Sequence, residues 1–179
     1  MPKYVLVAAG WTGCSEEKDM REIEATAYHE AGHAVAAFHV GRAVRAITIA
    51  PGEGYLGRVW HYPVTGKWLQ PDIELTSRTR DYLETSITTL LAGPTAERKA
   101  RGRWNHRGAG FDRSTAADLA FRLVGSAEQL ERYFAWRVQV AEDLWENPYR
   151  WDQVRQLAAE LLEHKTMSGR VVRELLLQL

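Results

Sequence analysis

The sequence predicts a mainly α domain with a small β-hairpin or sheet inserted after its first long helix. Apolar residues recur at helical spacing through most of the 179 residues. β-Branched and aromatic residues crowd into one stretch only, residues 45–62. Capping and breaking residues punctuate the rest: Gly41, Gly93-Pro94, Gly125-Ser126 and Asn147-Pro148.

Taken in order, residues 1–18 read as an N-terminal arm. Within it 4–9 are apolar, enough for a short strand but less than a signal-peptide core of roughly 7–15 residues. Asp19, with Glu22 three residues on, suits a capping box and opens a helix. Ile23, Ala27, Ala31, Ala34, Val35 and Phe38 make it a core helix, and Gly41 suits its left-handed end. Residues 45–50 and 55–62 are strand-like about the turn Pro51-Gly52-Glu53-Gly54. Residues 63–71 form a loop, and from Asp72 a helix carries Leu83, Ile87, Leu90 and Leu91. Gly93-Pro94 predicts a break there, with a second short helix from Pro94 to about Ala100. Further helices are expected over 112–124, over 127–146 capped by Ser126, over 151–165 and over 171–177, with a turn at 166–169. One domain spans 1–179: the arm, a half bearing the chemistry (19–124), and C-terminal helices (125–179).

Composition excludes several classes. Lys plus Arg (23) balances Asp plus Glu (23), so no global charge draws the chain to nucleic acid or anionic membrane. The lone Cys14 excludes an internal disulfide and fits a reducing, cytoplasmic setting. No apolar run approaches the ~20 residues of a membrane span. No P-loop is present, so the activity is expected to be ATP-independent. Arg98, Lys99, Arg101, Arg103 and Arg107, with Trp104 and His106, form a basic run. At zero net charge it reads as a solvated helix end, and no nucleic-acid partner is expected.

The chemistry centres on Tyr28-His29-Glu30-Ala31-Gly32-His33-Ala34. Residues four apart share a helix face, so His29 and His33 can direct two imidazoles at one ion. A core helix bearing two histidines and a glutamate must find partners for them, and a metal serves all three. Imidazole suits Zn²⁺, and a catalytic zinc usually has three protein ligands and a water. Glu30 is then placed as general base toward zinc-activated water. The competing reading is a helix with two hydrogen-bonded histidines. His39 lies at the third-ligand spacing of H-E-x-x-H-x-x-G-x-x-H, but Ala36 occupies the glycine position. A continuing helix turns His39 about 120° from His33. Glu53 is a further carboxylate, in a turn, and Asp112 stands at a helix start, where capping is the ordinary role. The free edge of the β element can pair with an extended peptide, which makes Val59 and Trp60 candidate substrate-binding residues. Otherwise it simply caps the core.

Four stretches together resemble the peptidase domain of the FtsH-type, AAA+ linked zinc metallopeptidases. They are Ala27-Tyr28-His29 through Ala34, then Thr48-Ile49-Ala50-Pro51 with Leu56-Gly57, then Leu91-Ala92-Gly93-Pro94-Thr95-Ala96-Glu97. The fourth is the glycine-rich approach to Asp112, with Ala116 and Ala120 beyond it. Residues 158–169 resemble the closing helix, turn and helix of that family. The resemblance implies a mostly helical zinc-peptidase fold, Zn²⁺, His29, His33 and Asp112 as ligands, and endopeptidase action on unfolded polypeptide. The family's ATPase module and membrane anchor have no counterpart in the chain, so the expected partners are peptide or unfolded polypeptide and a separate ATPase or adaptor. The alternative function is a catalytically weak, peptidase-like binding or regulatory module that keeps the zinc site.

Overall fold

The computed structural model describes residues 13–64, 75–106 and 108–179, backbone alone over 13–21. It is mainly α, with six helices and a three-stranded antiparallel sheet among the described residues. α1 (Gly13–His39) is followed by β1 (Val44–Thr48) and β2 (Arg58–His61), then α2 (Ser77–Arg101) and α3 (Gly110–Phe121). α4 (Ala127–Asp143) ends in a 3₁₀ turn, Leu144–Glu146, before α5 (Pro148–His164), β3 (Thr166–Ser168) and α6 (Gly169–Gln178). The strand-like arm at 4–9 and much of the loop at 63–71 lie outside the described residues.

α1 and α2 form the central pair, and small residues let them approach closely. Ala27, Ala31 and Ala34 on α1 and Ala92 and Ala96 on α2 are all fully buried. A β-carbon added to Gly32 would sit 2.6 Å from Ala96 Cβ and 2.7 Å from the Ala92 carbonyl. Val154, Leu157 and Leu161 of α5 and Leu176 of α6 close the core from the other side of α1. Each such fully buried aliphatic contributes about 1.5–3 kcal/mol. Polar groups drawn into this core are paired. Trp145 Nε1 donates to Thr95 Oγ1 at 2.9 Å, and Gln153 Nε2 donates to the Leu176 carbonyl at 2.9 Å.

Several boundaries differ from the sequence expectation. α1 begins at Gly13 rather than Asp19, so Asp19 lies within the helix and does not cap it. α2 runs unbroken through Pro94. Proline withholds the N–H that the Leu90 carbonyl needs and costs ~3 kcal/mol in a helix interior. Burial of Leu91, Ala92, Thr95 and Ala96 outweighs that local cost. The Thr95 hydroxyl also donates to the Leu91 carbonyl at 2.9 Å, supporting the loosened turn. α2 starts after Thr76, whose side chain accepts from the Thr79 N–H. α3 closes at Phe121 rather than at 124. Ser126 caps α4 as its sequence suggests. Asn147 caps α5 three residues earlier than expected and leaves Pro148 in the first turn, where its missing N–H has no cost.

The expected turn at 166–169 contains a strand. β3 pairs antiparallel with β1, Ile47 opposite Met167, giving the order β2-β1-β3. The sheet is therefore closed by the C-terminal segment and is not purely an insert. Gly169, which follows β3 and opens α6, lies so close to β1 that a β-carbon there would overlap the Val44 carbonyl. Among the described residues β2 is an edge strand, with Val59 opposite Ile47 and Trp60 opposite Ala46.

Candidate metal centre

His29 and His33 lie one turn apart on α1, both buried. α3 brings Asp112 to them in its first turn. Asp112 Oδ2 is 2.9 Å from His29 Nε2 and 3.4 Å from His33 Nε2. One ligand atom from each of the three residues fits within 4.8 Å of the others.

The far side of each imidazole is also fixed. His29 Nδ1 donates to Glu97 Oε2 at 3.0 Å, and His33 Nδ1 donates to the Thr89 carbonyl at 2.8 Å. With Nδ1 of each ring engaged outward, both Nε2 atoms face inward toward Asp112. This outward hydrogen bonding is the usual means of fixing the tautomer of a metal-binding histidine. Two imidazole nitrogens and a carboxylate oxygen form a donor set suited to zinc, and three protein ligands leave a coordination position for water or substrate. The residues present therefore fit such an ion.

The electrostatics of the cluster agree. Burial by itself lowers the His29 pKa, but hydrogen bonds to Asp112 and Glu97 outweigh it and raise the value to about 10. A carboxylate 2.9 Å from Nε2 thus calls for a positive group, a proton or a cation, at that nitrogen. Burial raises Asp112, yet the facing His33 and His29 imidazoles hold it well below the usual carboxylate range. Glu97 behaves alike: burial raises it, while His29, Asn105 and Arg101 bring it below its ordinary value. Glu30 moves the other way, pushed up chiefly by burial against the pull of His33 and His29.

Glu30 lies under the turn that leads into β2. A β-carbon on Gly57 would stand 2.7 Å from Glu30 Cγ and 2.8 Å from Glu30 Oε1. On the opposite side, a β-carbon on Gly93 would overlap the His33 ring. Both glycines leave room for the site's own side chains. Sequence reasoning did not assign Gly57, Gly93 or Glu97 to the site, although each stands in a quoted stretch of the resemblance. Their signal was present but was read as a marker of fold.

The remaining candidates lie elsewhere. His39 Nε2 bonds to Gln153 Oε1 of α5 at 2.7 Å, away from the cluster. Glu53 is exposed in its turn. The N-cap position of α3 is Ala109, without a side-chain cap, so Asp112 is not a capping residue. Val59 packs against the main core, while Trp60 meets Tyr55 edge-on at 6.1 Å. The basic run largely has partners: Arg98 pairs with Glu142, Lys99 donates to Glu146 Oε1 at 2.9 Å, and Arg101 donates to Glu97 Oε1 at 2.8 Å. Arg107 lies outside the described residues.

Comparison with known proteins adds the family. ATP-dependent zinc metalloprotease FtsH of Marinobacter nauticus is 34% identical over 116 residues, 62% of this chain and 17% of that protein. The FtsH of Rickettsia conorii is 26% identical over 195 aligned positions, 87% of this chain and 29% of that protein. That of Caulobacter vibrioides is 34% identical over 106 residues, 58% of this chain and 16% of the relative. The chain thus spans less than a third of the length of these relatives. Among the described residues, no helix is long and apolar enough to cross a membrane. The model of peptidase family M41 matches residues 16–128, more than half of the chain and the whole of the histidine, glutamate and aspartate cluster, and the chain belongs to that family.

Proposed function

We propose that this chain is a zinc-dependent endopeptidase domain that hydrolyses peptide bonds of peptides or already unfolded polypeptide. The observation that carries the reading is Asp112 Oδ2 facing the Nε2 atoms of both His29 and His33, with the buried Glu30 next to His29. His29, His33 and Asp112 would hold the ion. When bound, zinc polarises a carbonyl oxygen and lowers the pKa of water. Glu30 takes the proton of the attacking water and later gives it to the leaving amine. Residues 19–124 supply this machinery, and the helices of 125–179 buttress it as part of the same domain. The relatives named above are ATP-dependent by name; unfolding of a folded substrate would fall to an ATPase or adaptor acting with this domain.

The outer edge of β2 supports an extended substrate. The Tyr62 N–H is used by the Ala43 carbonyl at 3.3 Å. By the two-residue alternation of an antiparallel ladder, the Val59 and His61 N–H groups face outward, away from β1, toward the side where a peptide backbone could pair. Main-chain pairing reads no side chains and suits broad specificity. Leu56 and Phe111, one residue before Gly57 and Asp112, are 65% and 78% exposed. Exposed apolar side chains so close to a reactive site suit the apolar residues of an unfolded chain.

The test is cleavage of a denatured protein by the purified chain, with zinc and with a chelator. Cleavage that stops with the chelator and returns with zinc is expected. A zinc-loaded chain that cleaves nothing would favour the binding-module alternative.

A further inference from the structure

One side chain in the segment between α2 and α3, Asn105, bonds both ways. Asn105 Nδ2 donates to Glu97 Oε1 at 2.9 Å. The other oxygen of that carboxylate accepts from His29 Nδ1. Asn105 Oδ1 accepts from the Gly108 N–H at 3.0 Å, and the Asn105 carbonyl accepts from the Ala109 N–H at 3.0 Å. Ala109 is the N-cap of α3, three residues before Asp112. The orientation of the amide follows from chemistry: a carboxylate only accepts and a backbone N–H only donates.

Two further features make this residue more than a loop contact. α3 has no side-chain cap at its N-cap residue, Ala109, so no capping side chain of its own anchors the turn that carries Asp112. Gly108 is needed because a β-carbon there would overlap the Asn105 amide nitrogen. Arg101 also reaches Glu97, but only from the α2 side. Asn105 alone among the described residues joins the carboxylate behind His29 to the turn that delivers Asp112.

We propose that Asn105 is a positioning residue that holds His29 and Asp112 in register, so that metal affinity is set through one amide lying outside the ligand set. The proposal rests on the metal reading above. It extends that reading to a residue that touches neither metal nor substrate.

The test compares wild type, Asn105→Asp, Asn105→Ala and Gly108→Ala in the full chain. Asn105→Asp keeps the acceptor for Gly108 but turns a carboxylate oxygen toward Glu97. Gly108→Ala leaves Asn105 in place and pushes its amide off Glu97, so it serves if Asn105→Ala does not fold. Zinc affinity is read by competition with a chromophoric chelator, ligand geometry by the visible absorption of the Co²⁺-substituted chain, and folding by the melting temperature without metal. Zinc binding about 10–100-fold weaker, with an altered Co²⁺ spectrum, is expected, the range typical of lost outer-shell partners. A purely structural role predicts a lower melting temperature with wild-type zinc affinity and Co²⁺ spectrum, and that result overturns the proposal. A folded wild type that takes up no zinc overturns the metal reading itself, which separates the two failures.

Discussion

His29 Nδ1 stands 3.0 Å from Glu97 Oε2, a carboxylate 68 residues away in the chain. This bond points the other ring nitrogen, Nε2, at Asp112. It also determines what happens when Glu97 is changed. Glu97→Gln keeps an acceptor for His29 but loses the charge, and zinc affinity should fall about 10–100-fold. Glu97→Ala also leaves the buried His29 Nδ1 unpaired, at a further stability cost of about 1–3 kcal/mol. Chelator competition and thermal melting on the two variants check this; equal zinc affinity in Glu97→Gln and wild type would show the carboxylate to be incidental.

Glu30→Gln should abolish hydrolysis while zinc content stays near wild type. Glu30 is assigned as base and not as ligand, and a positioned base contributes about 10²–10⁴-fold. Turnover on an unfolded protein, measured beside metal content by mass spectrometry, decides between the two roles. A variant that cleaves at close to the wild-type rate shows that the proton goes elsewhere.

Asp112→Ala and His39→Ala should behave differently. The first removes a ligand, so zinc affinity and activity are both lost. The second removes the ring contact to Tyr149 and the bond to Gln153, whose buried Oε1 loses its partner at a cost of about 1–3 kcal/mol, and leaves zinc bound. Zinc content and melting temperature on the pair test the assignment. A zinc-replete Asp112→Ala protein ends it.

Gly93→Ala adds one methyl group where the His33 ring lies against α2. Overpacking of this kind costs about 1–3 kcal/mol. Relief by shifting the ring also breaks the bond from His33 Nδ1 to the Thr89 carbonyl. Both stability and zinc affinity should fall. Ordinary zinc binding in a merely destabilised variant would show that the ring has room to retreat.

Val59→Pro tests the substrate edge. The Val59 N–H faces away from β1, so proline removes a donor from the outer edge and none from the sheet. KM should rise, or cleavage cease, with the fold intact by circular dichroism. Unchanged kinetics would place the substrate elsewhere.

The sequence by itself determined the helix of His29, Glu30 and His33, their shared face, and the capping by Ser126. These signals act within about four residues, the reach of a helical turn, and so can be read without a fold. His39 could be set aside on the same local ground, since an uninterrupted helix rotates it from His33. What only the tertiary structure decided involves partners that local periodicity does not encode. Pro94 reads locally as a break, yet burial against α1 carries α2 through it. Residues 166–168 read as a turn, yet they complete the sheet by pairing with β1. Glu97 reads as one more charge on a helix, and Asn105 as a loop polar residue. Their bonds to His29 and to the turn before Asp112 exist because α1, α2 and α3 converge there, and a polar side chain buried at such a junction must take whichever partner packing brings within reach.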